Sequence, residues 1–319
     1  MTMKLYVNRA PVRGPWGGGN MFVKALFKYA EKFDVEIISP QDHNTAPDAA
    51  LLIGLETDQQ TLGAGLQQLV QYKMFQSQFG INVPLFLRVN ENDARKGTNH
   101  VDANWRTASR YIDGTIFVSE YIKDYFTRND GWACKQTTVV RNGVDRDVFR
   151  CQDAIDNDKN NIVTHHWSNH ELKGFDIYNQ LDEWIGQNPG FTFTYIGRDR
   201  GTFKNTKVIK PLYGKALGNE LGRYDVYVSA SRAEPGPNHV LEAIACDMPT
   251  FVRRDGGAGP EFVGNDECLL YDSFEELVEK LTAGSWTVPS KDTLIDWQTC
   301  IERYCEFIKA VTSGNADHT

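Results

Sequence analysis

The sequence predicts an α/β protein built from two successive parallel sheets, each covered by helices. Short apolar strands alternate with helical runs along nearly the whole chain, the pattern of sheets whose strands all run one way. A polar stretch at residues 152–161 interrupts that alternation, and the same strand–helix order then begins again. Glycine- or proline-rich turns follow strands in both halves, where open α/β sheets hold anionic ligands.

The bulk numbers agree. A chain of 319 residues suits two domains, and 41% hydrophobic residues can fill two cores. A net charge of -8 and a pI near 5.4 argue against a protein that grips nucleic acid, although Arg88, Arg95, Lys96, Arg106 and Arg110 leave a local basic patch open. The six cysteines (Cys134, Cys151, Cys246, Cys268, Cys300, Cys305) form no C-x-x-C pair and no zinc spacing, which reads as reduced thiols of a cytoplasmic protein. Residues 1–7 read as a first strand with no signal-peptide core behind it. No run of about 18 apolar residues predicts a transmembrane segment. A soluble protein is expected, with peripheral membrane contact left open.

In chain order, strand 5–7 leads into Gly14-Pro15-Trp16-Gly17-Gly18-Gly19-Asn20, a loop able to bring backbone N–H groups close to a phosphate. A helix with Met21, Phe22, Leu26, Phe27 and Tyr29 on one face follows. Strands at 35–38 and 49–53 precede a helix over about 62–79 and a fourth strand at 85–89. The polar segment 90–100, with Asn90, Asp93 and Arg95, then sits at a strand's carboxyl end and offers amide, carboxylate and guanidinium groups together. A helix over 101–110, a strand at 115–118, a helix over 119–128 with Ser119 as N-cap and a strand at 137–140 complete the first half. Asp145 and Asp147 read as solvated linker acids rather than a metal site.

The second half opens with a strand at 161–165 and the run His165-His166-Trp167-Ser168-Asn169-His170, leading through Lys173-Gly174 into a helix over 175–185. Adjacent histidines without a spaced His or Cys partner do not make a metal site; an anion-facing loop with Lys173 as charged donor fits better. Residues 191–196 alternate as a strand and end at Gly197-Arg198. A short strand at 208–209, a helix over 214–221 and the strand 225–228 lead to the stretch on which the chain is organised: Ser231-Arg232-Ala233-Glu234-Pro235-Gly236-Pro237-Asn238-His239-Val240-Leu241-Glu242-Ala243. Glu234 precedes a predicted helix over 238–246 and Glu242 lies inside it, so two acceptors flank a helix start. Further along come a strand at 250–252, a second glycine-rich turn at 256–259, a helix over 274–281 and a long amphipathic helix containing Trp297, Ile301, Tyr304 and Ile308.

These motifs, in this order, resemble the family 4 glycosyltransferases of GT-B fold. The matches are Asn142-Gly143-Val144-Asp145, Lys173-Gly174, Glu234 to Glu242 as an E-x7-E signature, and Leu241-Glu242-Ala243 followed by Cys246-Asp247-Met248-Pro249. The resemblance implies two Rossmann-like parallel-sheet domains facing a central cleft. Residues 1–150 would be the acceptor-binding domain and 151–296 the donor-binding domain, with the helix at about 297–313 crossing back to the first. It further implies a retaining transferase that moves a sugar from a nucleotide diphosphate sugar to a hydroxyl of a glycan, lipid-linked saccharide or other glycoconjugate, as in polysaccharide biosynthesis.

By the same resemblance Glu234 and Lys173 are catalytic: Glu234 accepts from donor-sugar hydroxyls and Lys173 neutralises the diphosphate. Gly17, Gly18, Gly19, Ser168, Gly197, Arg198, Gly236, Asn238, His239 and Glu242 complete the donor site, with Glu242 on the ribose. Asn90, Asp93 and Arg95 position the acceptor. No cofactor and no obligatory metal are implied. Departures from the pattern are Trp167 and Ser168 in place of a second diphosphate cation, Pro237 where a glycine is common, and Asn90 where a histidine is common. A nucleotide-sugar epimerase on the same fold, a transferase acting on modified DNA bases, and a non-catalytic nucleotide-sugar binding protein remain the alternatives.

Overall fold

The computed structural model describes residues 2–13, 17–42, 44–128 and 131–314. The chain divides into two compact units, Met1–Gly143 with Trp297–Thr319, and Val144–Asp296. The division falls upstream of residue 150 because 144–150 pack with the second unit: Val144 N–H donates to Ile295 O, and the carbonyl of Val148 lies where a side chain on Gly218 would stand.

The first unit holds six parallel strands in the order β2-β1-β3-β4-β5-β6. They are β1 (Met3–Val7), β2 (Val35–Ile38), β3 (Ala49–Leu52), β4 (Leu85–Val89), β5 (Gly114–Phe117) and β6 (Thr137–Val139). The connecting helices are α1 (Gly18–Tyr29), α2 (Leu66–Ser77), α3 (Asp93–Lys96), α4 (Val101–Ala108) and α5 (Glu120–Thr127). Two of the boundaries that differ from the sequence expectation have a local cause. Helix α2 starts at Leu66 because Leu62 adopts φ 55 in a turn closed by Asp58 and Gly63. The expected glycine loop is shorter: Gly18 and Gly19 already form the first turn of α1, and Asn20 ties that turn to Val12 through two hydrogen bonds of 2.9 and 3.0 Å. Gly14, Pro15 and Trp16 lie outside the described residues.

The second unit repeats the plan with parallel strands in the order β12-β11-β10-β7-β8-β9. These are β7 (Asn160–His166), β8 (Phe191–Gly197), β9 (Lys207–Ile209), β10 (Val226–Ser229), β11 (Thr250–Arg253) and β12 (Leu270–Tyr271). Helices α6 (Phe175–Ile185), α7 (Gly214–Leu221), α8 (Asn238–Ala245), α9 (Gly259–Phe262) and α10 (Phe274–Ala283) connect them. The order moves outward from β7 to β9 and restarts on the other side at β10. The carboxyl ends of β7 and β10 therefore make the topological switch point, where adjacent loops diverge and leave a crevice.

Helix α11 (Trp297–Thr312) returns the chain to the first unit. Alternation along β4 sorts its side chains between two cores. Leu85, Leu87 and Val89 enter a cluster with Trp105, Ile122 and Phe126, whereas Phe86 meets Phe307 of α11, with ring centroids 6.1 Å apart. Phe22 of α1 packs on Tyr304 at 4.6 Å, so α1 and α11 share that second face. Among the described residues no helix is long and apolar enough to cross a membrane.

Candidate functional site

The switch point of the second sheet gathers the charged groups that the sequence spaced far apart. Lys173 leaves β7 through a short 3-10 turn, Glu171–Lys173, capped by the His170 ring, which accepts from Leu172 N–H at 3.2 Å. The Ser168 hydroxyl accepts from His170 N–H at 3.2 Å and holds the turn from the other side. Gly174, at φ +92, follows at once; any side chain there would strike the Ala230 carbonyl at the end of β10. That close approach brings Lys173 to Glu234, and their side chains form a buried ion pair.

Glu234 is fixed by its backbone as well. Its N–H donates to Gly256 O at 3.3 Å and its carbonyl accepts from Ala258 N–H at 2.8 Å, so the loop runs parallel to the second glycine turn like one extra rung of sheet. Arg232 laces the surrounding loops. Its N–H donates to Leu172 O at 3.0 Å, its guanidinium grips Asp176 of α6 through two bonds (2.5 and 3.1 Å), and Asp255 lies 3.6 Å away. The cation nearest Glu234 in sequence is thus a structural staple.

Glu242 sits in the second turn of α8, 6% exposed, with His165 Nε2 2.7 Å from its Oε2. The other His165 nitrogen lies 3.2 Å from the Tyr227 hydroxyl, which also accepts from His165 N–H at 3.1 Å. Beside it the Tyr178 hydroxyl accepts from Ala230 N–H at 3.0 Å and reaches His166 Nε2 at 2.7 Å. Burial pushes both phenols up, with the Glu234 charge adding to Tyr178 and the Glu242 charge to Tyr227. Both stay protonated at neutral pH and able to donate. The histidine run therefore folds inward: His165 and His166 serve buried partners and His170 caps a turn.

Helix α8 begins at Asn238, with Pro237 in the N-cap position at ψ 92. Its internal hydrogen bonds start with Val240 and Leu241 donating to Pro237 O. The amides of Asn238 and His239 head the helix, where the backbone dipole favours an anion. Pro237 precedes the first helical turn, because its carbonyl is the first acceptor. The His239 ring lies 2.9 Å from the Ser229 hydroxyl. Gly197 ends β8 beside His166, and Arg198 lays its guanidinium over the Trp167 ring at 4.1 Å. The structure thus brings Ser168, Lys173, Gly197, Arg198, Glu234, Gly236, Asn238, His239 and Glu242 to one end of the second sheet. Among the described residues no three His, Cys, Asp or Glu side chains are grouped to hold a metal ion.

The remaining predicted residues belong to the first unit. A side chain built on Gly19 would meet Asn90 Nδ2 at 4.0 Å, so the start of α1 and the end of β4 are neighbours. The Asp93 carboxylate accepts from the Thr98 hydroxyl (2.6 Å) and from the amides of His100, Val101 and Asp102 (2.9–3.1 Å). It folds the polar segment and starts α4. Arg95 N–H donates to the Asn92 side chain, the N-cap of α3, at 2.6 Å. The arginines between 88 and 110 do not form one open basic face: Arg88 is 1% exposed and Arg106 donates to the Phe126 carbonyl at 2.8 Å.

Sequence reasoning missed His165 as the partner of Glu242, and Tyr178, Tyr227 and Arg232 as the frame around Lys173 and Glu234. A tyrosine in the middle of the apolar strand β10 was the available signal, since a buried hydroxyl demands a partner.

Residues 178–285 match a family model described as "Glycosyl transferase-like". No curated protein matches the sequence. Among solved structures, a sucrose-phosphate synthase from Thermosynechococcus elongatus superposes with a TM-score of 0.71 at 13% identity, covering 98% of this chain and 100% of that one. HepE from Anabaena, in complex with UDP-glucose, gives 0.60 at 15% identity over 99% and 98%. WaaG, a glycosyltransferase involved in lipopolysaccharide biosynthesis, gives 0.59 at 12% over 99% of each chain. These likenesses, with the two six-stranded parallel sheets, show a GT-B fold.

Proposed function

We propose that the protein is a metal-independent, retaining glycosyltransferase of family 4 that takes a sugar from a nucleotide diphosphate donor. The observation that carries this reading is the convergence of Lys173, Glu234 and Glu242 with the start of α8 at the switch point between β7 and β10. A cation paired with a carboxylate, in the loop that leads to a helix N-terminus, suits a diphosphate joined to a sugar on one side and a ribose on the other. HepE, with UDP-glucose bound on the same fold, supports a nucleotide-sugar donor.

In this reading Glu234 accepts hydrogen bonds from the donor sugar and Glu242 from the ribose diol. Lys173 keeps its Glu234 partner on one side and meets the diphosphate on the other. Charge builds on the departing phosphate during transfer, and Lys173 with the Asn238 and His239 amides stabilises it. Attack comes from the face that the phosphate leaves, and the phosphate takes the acceptor proton, so no enzymic base is needed. Gly197 and Arg198 border the nucleobase. In the first unit, Gly17, Gly18 and Gly19 are assigned to the donor and Asn90 and Arg95 to the acceptor, and Asp93 shapes the segment that carries Arg95. The acceptor is a hydroxyl of a glycan, lipid-linked saccharide or glycoconjugate, and the buried position of Arg88 favours that over modified DNA. Free cysteines suit the reducing cytoplasm, where such donors are made.

The test is a panel of nucleotide sugars assayed for binding and slow hydrolysis without acceptor. Binding of one donor, with release of its sugar in the original anomeric configuration, is expected. No binding across the panel overturns the donor assignment. Interconversion of donors without transfer favours an epimerase, and binding without hydrolysis or transfer favours a sensor.

A further inference from the structure

We infer that His165 is the positioning residue for Glu242, and that the unit holding a ribose diol is a Tyr227–His165–Glu242 relay rather than the carboxylate alone. This rests on the proposed role of Glu242. The hydrogen bonds can be written in one consistent direction. His165 N–H donates to the Tyr227 oxygen at 3.1 Å, the Tyr227 hydroxyl donates to His165 Nδ1 at 3.2 Å, and His165 Nε2–H donates to Glu242 Oε2 at 2.7 Å. The arrangement sets a proton on Nε2, because the Glu242 carboxylate only accepts, while the Tyr227 hydroxyl can donate to Nδ1 or to the His165 carbonyl at 3.4 Å. It works with neutral imidazole, and burial keeps the Tyr227 phenol protonated as the donor that starts it.

Every member is buried: His165 is 7% exposed, Glu242 6% and Tyr227 0%. Three elements contribute one group each, His165 from β7, Tyr227 from β10 and Glu242 from α8. A carboxylate held on one oxygen by a fixed N–H cannot rotate, so its other oxygen keeps one direction. That is what bidentate recognition of two vicinal hydroxyls requires. Without His165, Glu242 would have to choose between rotamers each time the ligand arrived.

The experiment measures calorimetric binding of UDP and of its 2′,3′-dideoxy analogue to the full chain. Wild type should prefer UDP, and Glu242→Gln should lose most of that preference. His165→Leu should lose roughly ten-fold of the preference, the order expected for a charge-assisted hydrogen bond lost from the diol. His165→Gln, whose amide can donate near the position of Nε2, should recover most of it. Tyr227→Phe should fall between Leu and Gln at position 165. A His165→Leu protein that melts as wild type and keeps the full preference overturns the inference and leaves the role of Glu242 standing. Equal loss in the Leu and Gln variants also overturns it, because a purely structural histidine would behave that way. Failure of wild type to distinguish UDP from the dideoxy analogue overturns the role of Glu242 and this inference with it.

Discussion

Lys173 and Glu234, 61 positions apart in sequence, neutralise each other inside the protein at the carboxyl ends of β7 and β10. Each is 8% exposed, so removing either takes an opposite charge away from a buried one.

The pair therefore predicts non-additive stability. Lys173→Met and Glu234→Leu should each cost about 3–5 kcal/mol in urea unfolding, the range for breaking a buried ion pair. The double variant should cost clearly less than the sum. Two losses that simply add would contradict the pairing. In turnover, Lys173→Ala should lose roughly 2–4 kcal/mol of transition-state stabilisation, read as a fall in kcat.

Gly257 should tolerate no side chain. At φ +76 it occupies the left-handed region, and a Cβ would stand 2.3 Å from the Glu234 carbonyl. Gly257→Ala must push the Glu234 loop off the second glycine turn, at a cost of about 2 kcal/mol or more. Donor binding should weaken with it. A calorimetric melt at the wild-type temperature, with unchanged nucleotide affinity, would rule out this role.

Asp182 of α6 should make stability depend on acid. Burial tends to raise its carboxyl, but hydrogen bonds from the Thr206 hydroxyl and the amides of Lys204, Asn205 and Thr206 outweigh that and hold it below the ordinary value. The unfolded chain then takes up its proton first as pH falls. The contribution is complete above about pH 5, beyond the unfolded pKa, and is lost as pH drops through the native one. Asp182→Asn should be less stable at pH 7 and show a shallower fall in unfolding free energy below about pH 5. Equal acid slopes for the two proteins would exclude the linkage.

Arg88 predicts an order of effects. Its Nη2 donates to Asn142 Oδ1 at 2.8 Å and its guanidinium lies over the Phe22 ring at 4.5 Å, while Nε and Nη1 have no hydrogen-bond partner among the described residues. Asn142→Leu keeps the buried charge and removes that acceptor, a loss of about 2–3 kcal/mol. Arg88→Met removes the charge along with its need for partners, and should cost less. Urea unfolding of the two variants gives the order directly; the reverse would mean that the arginine itself supplies the stability.

Much of this molecule was legible in one dimension. Strand and helix periods depend on neighbours a few positions away, so α6 and α7 fall where the apolar pattern puts them, and Ser119 caps α5 as its chemistry suggests. Glu234 and Glu242 share one loop and helix, so their spacing already bracketed a helix start. Strand order was not legible, because β10 joins β7 across 226–229 and 160–166 only once the chain has moved out to β9 and come back. That return makes the switch point, sets Lys173 on Glu234 and sets His165 on Glu242. Pairings between residues 61 and 77 positions apart leave no periodic trace, since they depend on which strands become neighbours. The sequence by itself determined the elements and the chemical groups at their ends. Only the tertiary structure decided which groups share a proton or a charge, because burial and partner distance arise when the sheet is assembled.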